Sequence, residues 1–420
     1  MTLRVWLISP AGFLILISAM MLLSPRTALA QFAQQGPKLV GSGAVGTAQQ
    51  GFSVALSADG STLIVGGNTD NNGFPGAAWV FTRSAGGWTQ QGNKLLGSGA
   101  IGRAVQGFSV ALSADGNTAI VGGHDDNGSA GAAWVYTRSG GVWAQQGDKL
   151  VGSGAVGEAF QGHAVALAAD GNTAIVGGPA DDDGTGAAWV FTRSGGVWTQ
   201  EGGKLVGTGV VGDAFLGNSV ALSADGNTAV VSGPGDNGGA GAVWVYTRSG
   251  GIWTEQSGKL VGTGAVGSAI QGAAALSADG NTLIVGGFFD NGEIGAAWVF
   301  TRSGGVWSQQ GNKLIGGGAA GNPVHQGFSV ALSADGNAAI VSGPEDNDGT
   351  GAAWVFCRSG GMWTQQGSKL IGAGAVGPAS QGRSVAMSAD GRTAIVGGFG
   401  DDGSLGAIWI FVRPTKGDCK

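Results

Sequence analysis

Cysteine is almost missing. The 420 residues hold only Cys357 and Cys419, too few for a disulfide framework, and neither stands in a metal or redox motif. Charge is scarce too: Asp, Glu, Lys and Arg make up 11% of the chain and the formal net charge is −6, so the basic surface that a nucleic-acid binder needs is absent. Apolar runs long enough to cross a bilayer as a helix are missing after residue 30. The 3.6-residue apolar period of amphipathic helices is missing as well, which excludes helical repeats.

Residues 1–30 read as an export signal. Arg4 supplies the positive end, Phe13 to Leu23 the apolar core, and Ala28, Leu29 and Ala30 an AxA cleavage site. Cleavage removes Arg4 and Arg26 and no acid, taking the formal charge from −6 to −8. Gln31, rather than Cys, follows the site, so no lipid anchor is expected. The expectation is a secreted, periplasmic or cell-surface protein without a membrane span after cleavage.

What is abundant is glycine, 87 residues, set among apolar residues that make up 43% of the chain and recur in alternating runs. Alternation with this much apolar content argues for packed strands rather than disorder. The stretch GFSVALSADGNTAIVGGHDDNGSAGAAWVYTRSGGVWAQQGDKLVGSGAVG, Gly107 to Gly157, is the repeating unit. Its turn aspartates, Asp59, Asp115, Asp170, Asp225, Asp279, Asp335 and Asp390, are separated by 54 to 56 residues. Each unit parses into four short strands. Strand A is FSVALS, followed by an ADG turn. Strand B is TAIVGG, strand C is AAWVFTR, and an SGG turn leads into strand D, from Trp88 to Leu96 in the first unit.

Four antiparallel strands repeated seven times give the expected fold, an all-β seven-bladed propeller, with a parallel β-helix as the weaker alternative. The units run over 51–97, 107–152, 162–207, 217–262, 272–316 and 327–372, and a last one over 382–413 has strands A to C only, followed by a tail, 414–420. The missing strand stands at the other end. Phe32 to Lys38 matches Trp88 to Lys94 position for position, so residues 31–42 are expected to complete the seventh blade, with Phe32 in the place of a strand D Trp.

Strand C carries Trp79, Trp134, Trp189, Trp244, Trp298, Trp354 and Trp409 inside apolar runs, where packing between blades is the expected role. The strand D Trp residues are the candidates for exposure, and a carbohydrate-binding alternative would stack sugars on them. The arginine after strand C lies at the same end of the blade as the ADG turn, which suggests pairing between the two within each blade. At the opposite end, every loop between strands B and C has an Asp at one fixed position: Asp70, Asp126, Asp181, Asp236, Asp290, Asp346 and Asp401. With their neighbours these loops hold 14 acids on one rim. Asp and Asn are turn residues; an acidic ring that attracts a cationic partner or Ca²⁺ is the functional counterpart. No loop has DxDxDG spacing, so no cofactor is expected and calcium is the one ion the rim suggests. His124, His163 and His325 fall at different repeat positions, strand A offers no acids to the channel, and no enzyme is expected. Cys357, at the end of strand C in the sixth unit, and Cys419, in the tail, fall near one rim on neighbouring blades and are a candidate disulfide.

GFSVALSADG, then IVGG or VSGP, then GAAWVF resembles the FG-GAP repeat of integrin alpha-chain propellers and their bacterial relatives, over residues 31 to 413. The GF pair stands at Gly51 and Phe52, Gly107 and Phe108, and Gly327 and Phe328; the GP pair at Gly178 and Pro179, Gly233 and Pro234, and Gly343 and Pro344. His163, Asn218, Ala273 and Arg383 replace Phe in the other units. The resemblance implies a seven-bladed, extracellular, adhesive propeller that binds a protein partner on the face of the B–C and D–A loops, and here the variant without the calcium motif. The reading is a monomeric interaction module with a protein or glycan ligand.

Overall fold

The structure is a computed structural model that describes residues 31–72, 74–85, 87–413 and 419. The expected export signal, residues 1–30, and the tail apart from Cys419 lie outside the described residues.

Glycine sets each blade's turns. In the second blade, strand C (Ala132–Ser139) returns as strand D (Val142–Gln145) through Gly140 and Gly141, at φ 57° and 82°, the left-handed pair that a two-residue hairpin requires. Strand A (Ser109–Leu112) meets strand B (Thr118–Gly123) through the ADG turn, where Asp115 Oδ1 accepts the Ser113 hydroxyl at 2.6 Å and the Asn117 N–H at 2.9 Å. Seven four-stranded antiparallel sheets of this kind form the seven-bladed propeller. Strand D is shorter than the sequence suggests. The left-handed Gly147 bends the chain after Gln145, and only Leu150 rejoins the sheet, opposite Ala133.

The ring is closed at both ends of the chain. Ala33 and Gln34 pair antiparallel with Val412 and Phe411, so the N-terminal strand completes the last blade. Phe32 is buried beneath the Arg413 guanidinium at 5.8 Å, as Trp143 lies beneath Arg138 at 5.4 Å. A second closure runs through the ADG turns: Ala58, Ala114, Ala169, Ala224, Ala278, Ala334 and Ala389 each donate an N–H to the alanine carbonyl of the next blade at 2.9 to 3.0 Å, and Ala389 donates back to Ala58.

The core lies between blades rather than within them. Trp134 packs with Ile64, Ala78 and Val80 of the preceding blade and with Ala119 and Val121 of its own. All seven strand C indoles are fully buried, each N–H donating to a backbone carbonyl, as from Trp134 to Ser98 at 2.8 Å. Only glycine fits beneath the ring, because a Cβ on Gly97 would stand 2.3 Å from Trp134 Cδ1. The tail is tied to the sixth blade by the Cys357–Cys419 disulfide, with Cα atoms 5.0 Å apart.

Candidate functional site at the channel mouth

Each D–A connection crosses one end of the propeller, the loop face, and is held there by side chains from its surroundings. Gln106 grips Gly97 through both its amide groups, accepting the Gly97 N–H at 2.6 Å and donating to its carbonyl at 3.0 Å. Asp126 Oδ1 accepts the Ile101 N–H at 2.7 Å while its other oxygen takes the Lys149 ammonium. The same pair of contacts recurs at Asp70 with Lys94, Asp181 with Lys204, Asp236 with Lys259, Asp290 with Lys313, Asp346 with Lys369 and Asp401 with Lys38.

All seven of these carboxylates are fully buried, so they are not the exposed acidic ring that their loop position suggests. The cation each holds is a lysine of its own sheet. The acids that remain exposed are their neighbours: Asp182, Asp183, Asp348 and Asp402 occupy left-handed turn positions at φ 50° to 55°, which Asp tolerates better than most residues.

At the opposite end the arginines pair differently from the sequence expectation. Arg138 Nε donates to the Asn117 side chain at 2.9 Å, and Asn117 in turn donates to Asp115 at 2.9 Å, so asparagine stands between the two charges. The same guanidinium lies over Trp143 and donates to Gln91 of the preceding blade at 3.2 Å, and the Trp143 N–H bonds that same Gln91 oxygen. This clamp recurs with Gln146, Glu201, Gln256 and Gln310. In these five blades the strand D indoles are half-buried or buried, each with one face under Arg and the N–H occupied.

Around the central channel, on the loop face, the blades stop being alike. The residue that leads into strand A is Phe52, Phe108, His163, Asn218, Ala273, Phe328 and Arg383 in turn. Three positions earlier stand Gln49, Val105, Phe160, Phe215, Ile270, His325 and Ser380, all at φ 50° to 60°. A side chain at positive φ costs about 1 kcal/mol or more where glycine would cost nothing, and β-branched Val105 and Ile270 are the most strained there. The residue after strand B varies as well, with His124, Pro179, Phe288 and Phe399 among the seven.

These positions enclose a cavity of 390 Å³ at the channel mouth, lined by Phe52, Phe108, His163, Asn218, Phe328 and Arg383 among others, and a side pocket of 300 Å³ among the loops of the second, third and fourth blades. No family model matches this chain, and no curated protein matches it in sequence.

The mouth brings together residues that are far apart in the repeat. Phe108 packs against His124 at 4.2 Å and His163 at 4.7 Å between ring centroids, and the two imidazoles are 5.8 Å apart. A second aromatic cluster joins His325 to Phe288 and Phe289. Alignment of the units against one another signals this site: the residues on either side of the Gln-Gly step and the residue after strand B change from blade to blade, while the strand residues repeat. Among the described residues no group of three or more His, Cys, Asp or Glu is placed to hold a metal ion.

Burial pushes the His163 imidazole down to about 4, helped by the nearby His124 and Arg383 and opposed by its hydrogen bond to the Asn218 carbonyl. The unfolded chain therefore takes up a proton near pH 6.5 that the folded chain refuses until about pH 4. Stability is full above the higher value and falls as the pH drops through that window. Between pH 7 and pH 5 the melting temperature of the parent is expected to fall more than that of His163→Phe, whose ring matches those of Phe52 and Phe108; parallel curves would contradict the assignment.

Proposed function

We propose that this propeller is a non-enzymatic binding module, working outside the cytoplasm as a monomer, that takes a partner at the channel mouth of its loop face. The observation that carries the reading is the contrast between repeated framework and divergent mouth. All seven blades keep the same Trp, Asp and Lys contacts and six of the seven connections keep the Gln clasp, Leu216 replacing it before the fourth blade, yet the column around the cavity reads Phe, Phe, His, Asn, Ala, Phe, Arg. Framework needs alone would fill that column uniformly, as they do the buried Trp column. Exposed Asp182, Asp183, Asp213, Asp348 and Asp402 fringe the mouth and favour a protein partner with basic groups at its rim.

Kinship with FG-GAP repeat proteins and an adhesive role belong to the same proposal, supported by the GF and GP pairs and by the position of the site on the B–C and D–A loops. Export by residues 1–30 is supported by the buried Cys357–Cys419 disulfide, a bond that persists in oxidising compartments.

The test compares partner retention by immobilised parent protein, by a mouth variant (Phe160→Ala, Phe215→Ala and Phe288→Ala together) and by a turn-face variant (Asn117→Ala with Asn172→Ala), all checked for equal melting. A partner that is lost from the mouth variant and kept by the turn-face variant is expected. Equal retention by all three would refute the reading.

A further inference from the structure

The cavity at the channel mouth has one charged side chain in its lining, and it is a cation. Arg383 stands where the first, second and sixth blades have Phe. Its guanidinium lies 3.9 Å above the Phe52 ring and 4.8 Å from that of Phe328, the neighbours on either side. Among the described residues no acidic side chain lines the cavity, and the Arg383 side chain makes no ion pair and no hydrogen bond. By contrast, each Arg after strand C from the second to the sixth blade has its guanidinium bonded to Asn and to Gln or Glu. A partly buried guanidinium with only ring faces for company still has five N–H donors to satisfy.

The hydroxyls of the same wall add to this. Ser53, Ser329 and Ser384 come from the three blades that surround Arg383 and line the cavity with it. Each accepts a backbone N–H from the next blade, Val110 at 3.0 Å, Val385 at 3.1 Å and Val54 at 3.1 Å respectively. Each therefore has its own proton left to donate, and none finds an acceptor among the described residues. Across the cavity stand Asn218 and His163, the latter held neutral at physiological pH by its burial.

The geometry points to a binding site for an organic carboxylate with an aromatic or other apolar body. The carboxylate would be taken by Arg383 with help from the serine hydroxyls, and its body by the ring faces of Phe52, Phe108 and Phe328. A planar guanidinium matches a carboxylate in shape and charge, and its charged hydrogen bonds are stronger than neutral ones. The volume of 390 Å³ falls within the range of small-molecule sites. The exposed acids of the rim sit on outer loops, outside this lining. The proposal rests on the channel mouth being the ligand-binding face. A small free acid and the C-terminal carboxylate of a peptide ending in Phe share the chemistry.

Isothermal titration of the mature chain at pH 7 tests it with four probes: 3-phenylpropionate, the neutral 3-phenylpropan-1-ol, a tripeptide ending in Phe, and that peptide's C-terminal amide. At least one acid is expected to bind at least about tenfold more tightly than its neutral counterpart, because charged hydrogen bonds are lost with the charge. Which acid binds identifies the source. Arg383→Met should bring that acid to the level of its neutral counterpart, and Arg383→Lys should retain part of the preference.

Equal binding of acid and neutral probe to the parent would overturn the proposal while leaving the mouth as a ligand face, and so would undiminished acid binding by a folded Arg383→Met. Absence of binding by both acids would overturn it as well. The comparison of probes on the parent stands even if the variant does not fold.

Discussion

A chain lacking residues 31–40 is expected to lose the single cooperative unfolding transition of the parent. The closing strand is short, Ala33–Gln34, and its ladder contributes little by itself. The cost lies in what it covers. Without it, the strand Ala407–Val412 becomes a free sheet edge, with unpaired backbone groups at Phe411 and Val412 and at Ile410, whose carbonyl accepts the Gln35 N–H at 2.7 Å. Phe32 leaves the cluster that holds Trp409, Phe411 and Met387. Lys38 leaves Asp401, whose carboxylate is fully buried; stripping the partner from a buried ion costs about 3–5 kcal/mol. These losses fall on one seam, next to the junction with the first blade. Calorimetry should show a broadened transition at much lower temperature, partly restored by a synthetic peptide of residues 31–42. A truncated chain that melts like the parent would show that the ring does not depend on this closure.

Asp126→Ala is expected to destabilise the protein by about 3–5 kcal/mol, and Asp182→Ala by no more than about 0.5 kcal/mol, although both acids belong to B–C loops. The difference is burial. Asp126 is sealed from solvent and satisfies two groups, the Ile101 N–H and the Lys149 ammonium, whereas Asp182 is an exposed turn residue. Removing the first leaves a cation and a backbone donor without partners in a protein interior. Adding Lys149→Met to Asp126→Ala should recover part of the loss, because the orphaned charge goes with it. Thermal melts of the three variants check this. Equal behaviour of Asp126→Ala and Asp182→Ala would return the fixed aspartates to the role of a surface ring.

These cases mark what could be read from the amino-acid order. The propeller is legible because its determinants are local and repeated: the ADG and SGG turns, the alternating strands, and the match of Phe32 to Lys38 with a strand D. The buried aspartates are not, since Asp126 meets a lysine 23 residues later in the chain and a backbone amide 25 residues earlier, and only the path of the connection brings them together. The end of the blade at which the arginines stand is legible from strand direction, but Asn117, adjacent to the turn, intercepts the pairing with Asp115. The histidines hold different repeat positions, so the amino-acid order does not relate them. The connection from the second to the third blade runs past the second blade's B–C loop, which sets His124 beside Phe160 and His163.

Exchange of backbone hydrogens for deuterium, with and without the partner retained in the mouth comparison, locates the binding face on the propeller. Slowed exchange is expected in the segments that build the mouth, 101–108, 156–163 and 211–218, and unchanged exchange in the ADG turns at 113–117 and 168–172. Protection confined to those turns, with the mouth unaffected, would contradict binding at the mouth.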